Sequence, residues 1–163
     1  MRLITDVELG DLPIMHQASI DAGYLDEMGH MNVMWYTHLF DRATWRFFAS
    51  LGMDLNYYEK SSAGAFALEQ HTRYLAELLQ GQSVLIRTRA LGRTIKRIHF
   101  MHFMVLRDTD QLAATTELIG IHIDFRTRTS SPFPEQIAKA LDVTIAEHNQ
   151  LSWDPPICGS MRP

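Results

Sequence analysis

The sequence predicts an α+β domain in which one long helix packs against an antiparallel sheet. Two observations carry that reading: a single run of helical spacing from Val33 to Leu51, and four extended segments after it, at about 65–76, 82–91, 96–107 and 111–126. A third marks where chemistry can sit. The stretch Asp26-Glu-Met-Gly-His-Met-Asn-Val-Met-Trp-Tyr36 joins a polar, turn-rich loop to the start of the helix.

Residues 1–12 mix charged and apolar side chains without a clear period and read as a lead-in. Ile14 to Tyr24 reads as an extended segment entering a Gly-containing turn, with Met15 and His16 on opposite sides. The helix begins after Asn32, a residue type whose side-chain oxygen accepts a backbone N–H one turn inward. Tyr36, Phe40, Ala43, Phe47 and Leu51 recur at three- and four-residue intervals, and Val33, Leu39 and Phe48 widen that stripe into a broad buried face. Gly52 is suited to end the helix, because it enters the left-handed conformation without a Cβ penalty. Such an element has about five turns and is roughly 28 Å long.

Asp54 to Gly64 reads as a polar and aromatic connection. The extended segments then follow as an expected meander, with reversals at Leu78–Gly81, Leu91–Thr94 and Arg107–Asp110. Ile119, Ile121, Ile123 and Phe125 alternate with Gly120, His122 and Asp124, the pattern of a half-buried strand. Ile98 to Leu106 is apolar on both faces and asks for cover on both, by the helix and by something else such as a second subunit. Pro132 and Pro134 end the sheet. Glu135 to His148 reads as a helix with Ile137, Leu141 and Ile145 on one face, and Leu151 to Pro163 as an irregular tail.

With 163 residues, 46% of them hydrophobic, the chain supports one core, and we expect a single domain over 1–163 with its body at about 14–147 and its tail at about 149–163. Nineteen acidic against 15 basic residues leave a formal charge of -4, which gives no support for nucleic-acid binding. No run reaches the roughly 18 apolar residues of a spanning helix, nor does the N-terminal stretch resemble a secretory signal, so no membrane partner and a cytoplasmic location are expected. Cys158 is the only cysteine, which excludes an internal disulfide and a metal cluster built from cysteines.

The strand, the Asp26-x-x-Gly29-His30-Met31-Asn32 turn with Tyr36 four further on, the long helix and the sheet together resemble the hot-dog fold thioesterases of the 4-hydroxybenzoyl-CoA and acyl-CoA thioesterase group, over about residues 14–147. The turn is also similar to the D-x-x-x-H-V-N-N-x-x-Y pattern of acyl-carrier-protein thioesterases, with Val33 in place of the second asparagine. Glu69-Gln-His-Thr-Arg-Tyr-Leu75, Lys96-Arg-Ile-His99 with His102, Ala114-Thr-Thr-Glu117 and Ser131-Pro-Phe-Pro134 resemble segments of the betainyl-CoA thioesterase-like branch. The resemblance implies a curved antiparallel sheet of five to six strands wrapped around one central helix. It implies a homodimer or dimer of dimers with sites at the subunit interface, and an acyl-CoA substrate hydrolysed without metal or bound cofactor.

Thioester hydrolysis needs a carboxylate that activates water or attacks the carbonyl, and donors aimed at the oxygen that becomes anionic. The resemblance makes Asp26 that carboxylate, as base or nucleophile, and a backbone N–H near Asn32 or Val33 that donor. In the plainer reading Asp26 forms an Asx-turn, His30 is a solvated loop residue rather than a partner of Asp26, Asn32 is a cap, and Gly29 serves the turn rather than a close substrate approach. Glu69 and His71 lie two apart, so they share a strand face; they are a second candidate pair, with a solvated face and a surface ion pair to Arg73 as the alternative. Arg87, Arg89, Arg93, Lys96 and Arg97 place five cations in 11 residues, suited either to coenzyme A phosphates or to protecting a sheet edge. Trp35, Tyr36, Trp45, Tyr57 and Tyr58 can line an acyl pocket, a cage for a quaternary ammonium included, or fill the core. His99 and His102, three apart on a strand, point to opposite faces, and no His/Asp/Glu set has the spacing of a metal site. The alternatives to a thioesterase are a hot-dog acyl-CoA hydratase or dehydratase, whose D-x-N-P-x-H pattern is not matched here, and a non-catalytic acyl-CoA sensor or binding module.

Overall fold

The computed structural model describes residues 9–163; the first eight positions of the expected lead-in lie outside the described residues. The chain runs β1 (Ile14–Ser19), a 3-10 turn (Ala22–Tyr24), α1 (Val33–Ser50), α2 (Leu55–Ser61), β2 (Ala63–Tyr74), β3 (Ser83–Arg93), β4 (Arg97–Leu106), β5 (Leu112–Asp124), β6 (Thr129–Ser130) and α3 (Glu135–His148). This is the α+β hot-dog arrangement, one long helix with an antiparallel sheet. The sheet order is β1-β3-β4-β5-β2, with β6 beside β5.

The long helix starts and stops where the local chemistry predicts. Asn32 Oδ1 accepts from Met34 N at 3.0 Å, and Gly52 adopts φ +96° after the last turn. The connection expected over Asp54–Gly64 instead contains α2. Asp54 caps it by accepting from Tyr57 N at 2.8 Å, and Ser62 ends it in the left-handed region at φ 53°. The meander holds for β3, β4 and β5 only. β2 lies on the far edge beside β5, because a reversal at Leu78–Gly81 states that the chain turns but not which strand it joins.

The described residues gather into two compact units: one made of the chain up to Thr44 with Thr72–Thr88 and His102–Thr116, the other of Trp45–His71, Arg89–Met101 and Glu117–Pro163. In the first, Tyr36, Leu39, Phe40 and Ala43 of α1 pack on Ile20, Met31, Leu78, Val84, Ile86, Met104 and Ala114. Full burial of one such large side chain contributes about 1.5–3 kcal/mol. His102 sits in this unit with both ring nitrogens bonded, Nε2 to Thr44 Oγ1 at 2.9 Å and Nδ1 to Thr88 Oγ1 at 2.7 Å.

In the second unit, Phe47 and Phe48 pack on Phe100 with ring centroids 5.2 and 5.6 Å apart. Gly120 admits this approach, since a Cβ there would lie 3.5 Å from Phe48 Cζ and 3.3 Å from Ile98 Cγ2. The opposite face of the strands is covered by the chain's own C-terminal segment. Ala90 N donates to His148 Nδ1 at 2.8 Å, Arg89 Nη1 donates to Trp153 O at 2.7 Å, and the Arg89 guanidinium lies 4.3 Å from the Trp153 ring centre. The cover expected from a second subunit is thus supplied in this unit by the tail. β5 is buried on both faces rather than one: Gly120 meets Phe48 of α1, and His122 on the same face is enclosed, bonding Tyr57 Oη of α2 at 2.7 Å and Ser131 Oγ at 2.9 Å.

Candidate active site

The Asp26 loop is a tightly wired turn. Asp26 N donates to His30 O at 3.0 Å and Gly29 N to Asp26 O at 3.1 Å, closing a reversal in which Gly29 takes φ +86°. An added Cβ at Gly29 would meet nothing within 4 Å, so backbone conformation rather than space selects glycine there. The loop is tied to its surroundings by backbone pairing: Met31 N donates to Leu78 O at 2.7 Å, Asn32 N to Tyr24 O at 2.9 Å, and His30 bridges Leu79. Met31 is buried beneath it.

The two carboxylate oxygens of Asp26 have different neighbours. Oδ1 accepts from Met28 N at 2.9 Å, which is the Asx-turn. Oδ2 faces His30 Nδ1 at 3.5 Å, a contact longer than an ordinary hydrogen bond, with 13% of the Asp26 side chain and 32% of the His30 side chain exposed. One carboxylate oxygen is therefore fixed by the turn while the other has an imidazole neighbour. At the helix start, Met34 N is taken by the Asn32 side chain and Trp35 N by Asn32 O at 2.9 Å, so the cap leaves over the N–H of Val33. The Val33 and Met34 side chains are exposed.

Tyr36 belongs to the core. It is buried, its hydroxyl donating to Ala76 O at 3.3 Å, and burial pushes its phenol above the ordinary value. Trp35 instead stacks on Tyr24, ring centres 4.1 Å apart and nearly parallel, which builds an aromatic face beside the loop. Trp45 packs edge-on against Tyr58 and Tyr57 bonds His122, so these three belong to packing in the second unit. The sequence places Tyr24 only at the end of an extended segment, and the one signal for a place beside the site is its position two residues before Asp26.

Glu69 and His71 lie on β2 as expected, Glu69 exposed and His71 partly so. His71 does not stand with Glu69 alone. Ligand atoms of His71, Glu117 and Cys158 all lie within 4.8 Å of one another. Glu117 is fully buried; its Oε1 accepts from His99 Nε2 at 2.8 Å and its Oε2 from Cys158 N at 2.6 Å. Burial alone would push this carboxyl up, but the donors from Cys158 and His99 outweigh it and hold it below the usual carboxylate range. His99 and His102 do face opposite ways, one to Glu117 and the other to Thr44 and Thr88. The spacing argument against a metal site missed this cluster because its members are distant in sequence.

The hairpin cations are mostly committed within the chain. Arg87 donates to the carbonyls of Gly10 and Leu12, and Arg89 is buried against Trp153. Arg93 forms a bidentate pair with Asp142 at 2.7 and 2.6 Å, and Lys96 Nζ reaches Ser130 O and Oγ at 3.2 and 3.3 Å. Arg97 is exposed. The five charges therefore do not form one open patch, because charge density along a hairpin does not reveal which carbonyls and carboxylates fold back onto it.

Residues 20–141 match the model of the thioesterase-like superfamily. The chain is 30% identical over 133 residues to the L-carnitine dehydrogenase/betainyl-CoA thioesterase of Agrobacterium fabrum, a match covering 81% of this chain and 27% of that protein, so it spans about a quarter of that relative's length. It is 29% identical over 128 residues to the betainyl-CoA thioesterase of Pseudomonas aeruginosa, covering 78% of this chain and 80% of that one. Among solved structures, a Staphylococcus aureus protein in complex with CoA superposes with a TM-score of 0.83 at 26% identity, over 93% of this chain and 96% of that one. The 1,4-dihydroxy-2-naphthoyl-CoA thioesterase of Synechocystis shares the fold, with a TM-score of 0.70 at 14% identity over 79% of this chain and 95% of its own.

Proposed function

The chain belongs to the thioesterase-like superfamily, and on that premise we propose that it hydrolyses an acyl-CoA thioester to the free acid and coenzyme A, with Asp26 as the reacting carboxylate. The observation that carries this is the Asp26 loop itself: one carboxylate oxygen pinned by Met28 N, the other beside His30, at a helix start whose cap leaves the Val33 N–H over. Oδ2 takes a proton from a water molecule as the water oxygen bonds to the carbonyl carbon. The carbonyl oxygen becomes anionic and accepts from Val33 N–H, favoured by the positive end of the helix dipole. Collapse breaks the C–S bond, and the proton held on Asp26 passes to the departing thiolate. His30, 3.5 Å from Oδ2, keeps that oxygen turned to the opening and steadies its charge. The Tyr24–Trp35 face gives the acyl group an apolar, π-rich wall, which suits a small group and, through cation–π attraction, a quaternary ammonium.

β2 supports a homodimer as the working form. It is an edge strand of 12 residues with Phe66 and Leu68 about half exposed, and a long apolar edge calls for a partner strand.

The test is thiol release from a panel of short-chain, aromatic and betainyl CoA thioesters by the native chain and by Asp26→Asn. Loss of a carboxylate acting in the chemical step lowers the rate by at least about 10²-fold. An unaffected Asp26→Asn would refute its role, and acyl-CoA binding with no thiol from any substrate would make the protein a binding module. After single turnover in H₂¹⁸O, label in Asp26 would show direct attack followed by opening of the anhydride at the Asp26 carbonyl, a result that water activation does not give.

A further inference from the structure

The cluster around Glu117 has a chemistry that the hydrolytic reading leaves unused. Three neighbouring strands converge on it, since β5 carries Glu117, β4 on one side carries His99 and β2 on the other carries His71, while the C-terminal tail brings Cys158. We propose that His71, Glu117 and Cys158 form a three-ligand site for a soft divalent transition ion, Zn²⁺ fitting best, which clamps the C-terminal tail to the sheet.

The donor set is one imidazole, one carboxylate and one thiol, the mixture that selects Zn²⁺ over Mg²⁺ or Ca²⁺, which prefer oxygen alone. A tetrahedral ion with bonds of about 2.0–2.3 Å holds its ligand atoms roughly 3.3–3.7 Å apart. The three atoms here already lie within 4.8 Å, so shifts of about 1 Å in His71 and Cys158, the two partly exposed members, close the set around the fixed carboxylate. Charge agrees as well: a carboxylate, a thiolate and a neutral imidazole balance a dication, so the buried Glu117 charge gains a counter-ion.

The surroundings have the form of a supporting shell. His99 Nε2 and Cys158 N each donate to one Glu117 oxygen, at 2.8 and 2.6 Å, which fixes the carboxylate plane and leaves lone pairs on both oxygens. Ser160 Oγ lies 3.2 Å from Cys158 Sγ, placing a hydroxyl beside the ligand sulfur. Without an ion, the thiol has a weak partner and the tail is held by its contacts with Arg89 and Glu117; with one, it is also tied through Cys158 Sγ to His71 on β2.

The full chain, stripped with a chelator and dialysed, is titrated with Co²⁺ and followed by near-ultraviolet absorption. A thiolate-to-cobalt charge-transfer band saturating at one ion per chain is expected, and Zn²⁺ should displace it. Since Cys158 is the sole cysteine, the band can come from no other residue. Cys158→Ser should abolish it, His71→Ala should weaken Co²⁺ affinity at least 10-fold, and His38→Ala, an exposed histidine of α1, should leave it unchanged. Absence of the band in the native chain, or binding that Cys158→Ser leaves equally tight, would overturn the proposal. Either result stands apart from the Asp26 reading, which thiol release tests on its own.

Discussion

The sharpest pH-dependent consequence of the fold lies at His102. Thr44 Oγ1 donates its one proton to Phe40 O at 3.1 Å, so towards His102 it accepts, and Nε2 must carry the hydrogen. Nδ1 is then the acceptor for the Thr88 hydroxyl at 2.7 Å. Both ring nitrogens are satisfied in the neutral form, and the ring is fully enclosed, which pushes its pKa down from 6.5 to about 3. A proton added at Nδ1 would face a hydroxyl already oriented as a donor. The sign follows from the depressed folded value: the unfolded chain binds this proton near pH 6.5 and the folded chain does not, so stability is complete above about pH 7.5 and falls as pH drops towards 3. At about 1.4 kcal/mol per pH unit, the loss at pH 4.5 from this one residue is on the order of 3 kcal/mol. Urea unfolding of the native chain and of His102→Gln at pH 7.5 and pH 4.5 measures it, the variant being less stable at pH 7.5 but with a pH dependence flatter by about that amount. His122 and His148, also held low chiefly by burial, contribute the same sign to both chains and cancel in the comparison. An equal pH dependence in both chains would refute the argument. If the variant does not fold, the native ring resonances decide, since movement of the His102 signals between pH 7.5 and 4.5 would refute it equally.

Removing the Thr88 hydroxyl in Thr88→Val leaves Nδ1 buried without its donor and should cost about 1–3 kcal/mol in urea unfolding at pH 7.5. Asn32→Ala removes the acceptor for Met34 N and should cost about 1 kcal/mol in the same assay; its kcat for thiol release should fall further than KM rises, because the Val33 donor loses its fixed position. Gly29→Ala places a Cβ at φ +86°, with an expected penalty of about 1–2 kcal/mol and no change in the far-ultraviolet spectrum. For the proposed homodimer, Leu68→Lys puts a charge on the exposed β2 edge and should lower the sedimentation mass from that of two chains towards one at micromolar concentration; a native chain that already sediments as one chain would refute the dimer.

What was legible in the sequence is what is settled by near neighbours. Asp26, Gly29 and Asn32 act within four residues of themselves, through an Asx-turn, a left-handed glycine and a helix cap, and the spacing of those residue types announces each role. α1 and α3 were legible for the same reason, their apolar periods running over several turns. α2 was obscured because Tyr57 and Tyr58 weaken the helical pattern between two caps, and Asp54 was the signal that should have found it. The burial of His122 and Glu117 was not legible at all. Alternation along β5 assumed one dry face, but each face has its own cover: Phe48 of α1 and Tyr57 of α2 meet the Gly120 and His122 face, and the tail covers the Glu117 face, with Cys158 bonding Glu117. The position of β2 beside β5 then determines which polar groups meet there. Had β2 paired with β3, as a continuous meander requires, Glu117 would have had β4 on one side and no His71 on the other. The turn and cap of the Asp26 loop are thus written locally, although its ties to Leu78 and Leu79 are not, whereas the His71–Glu117–Cys158 cluster exists only because of the strand order, so a test of that cluster is also a test of the topology.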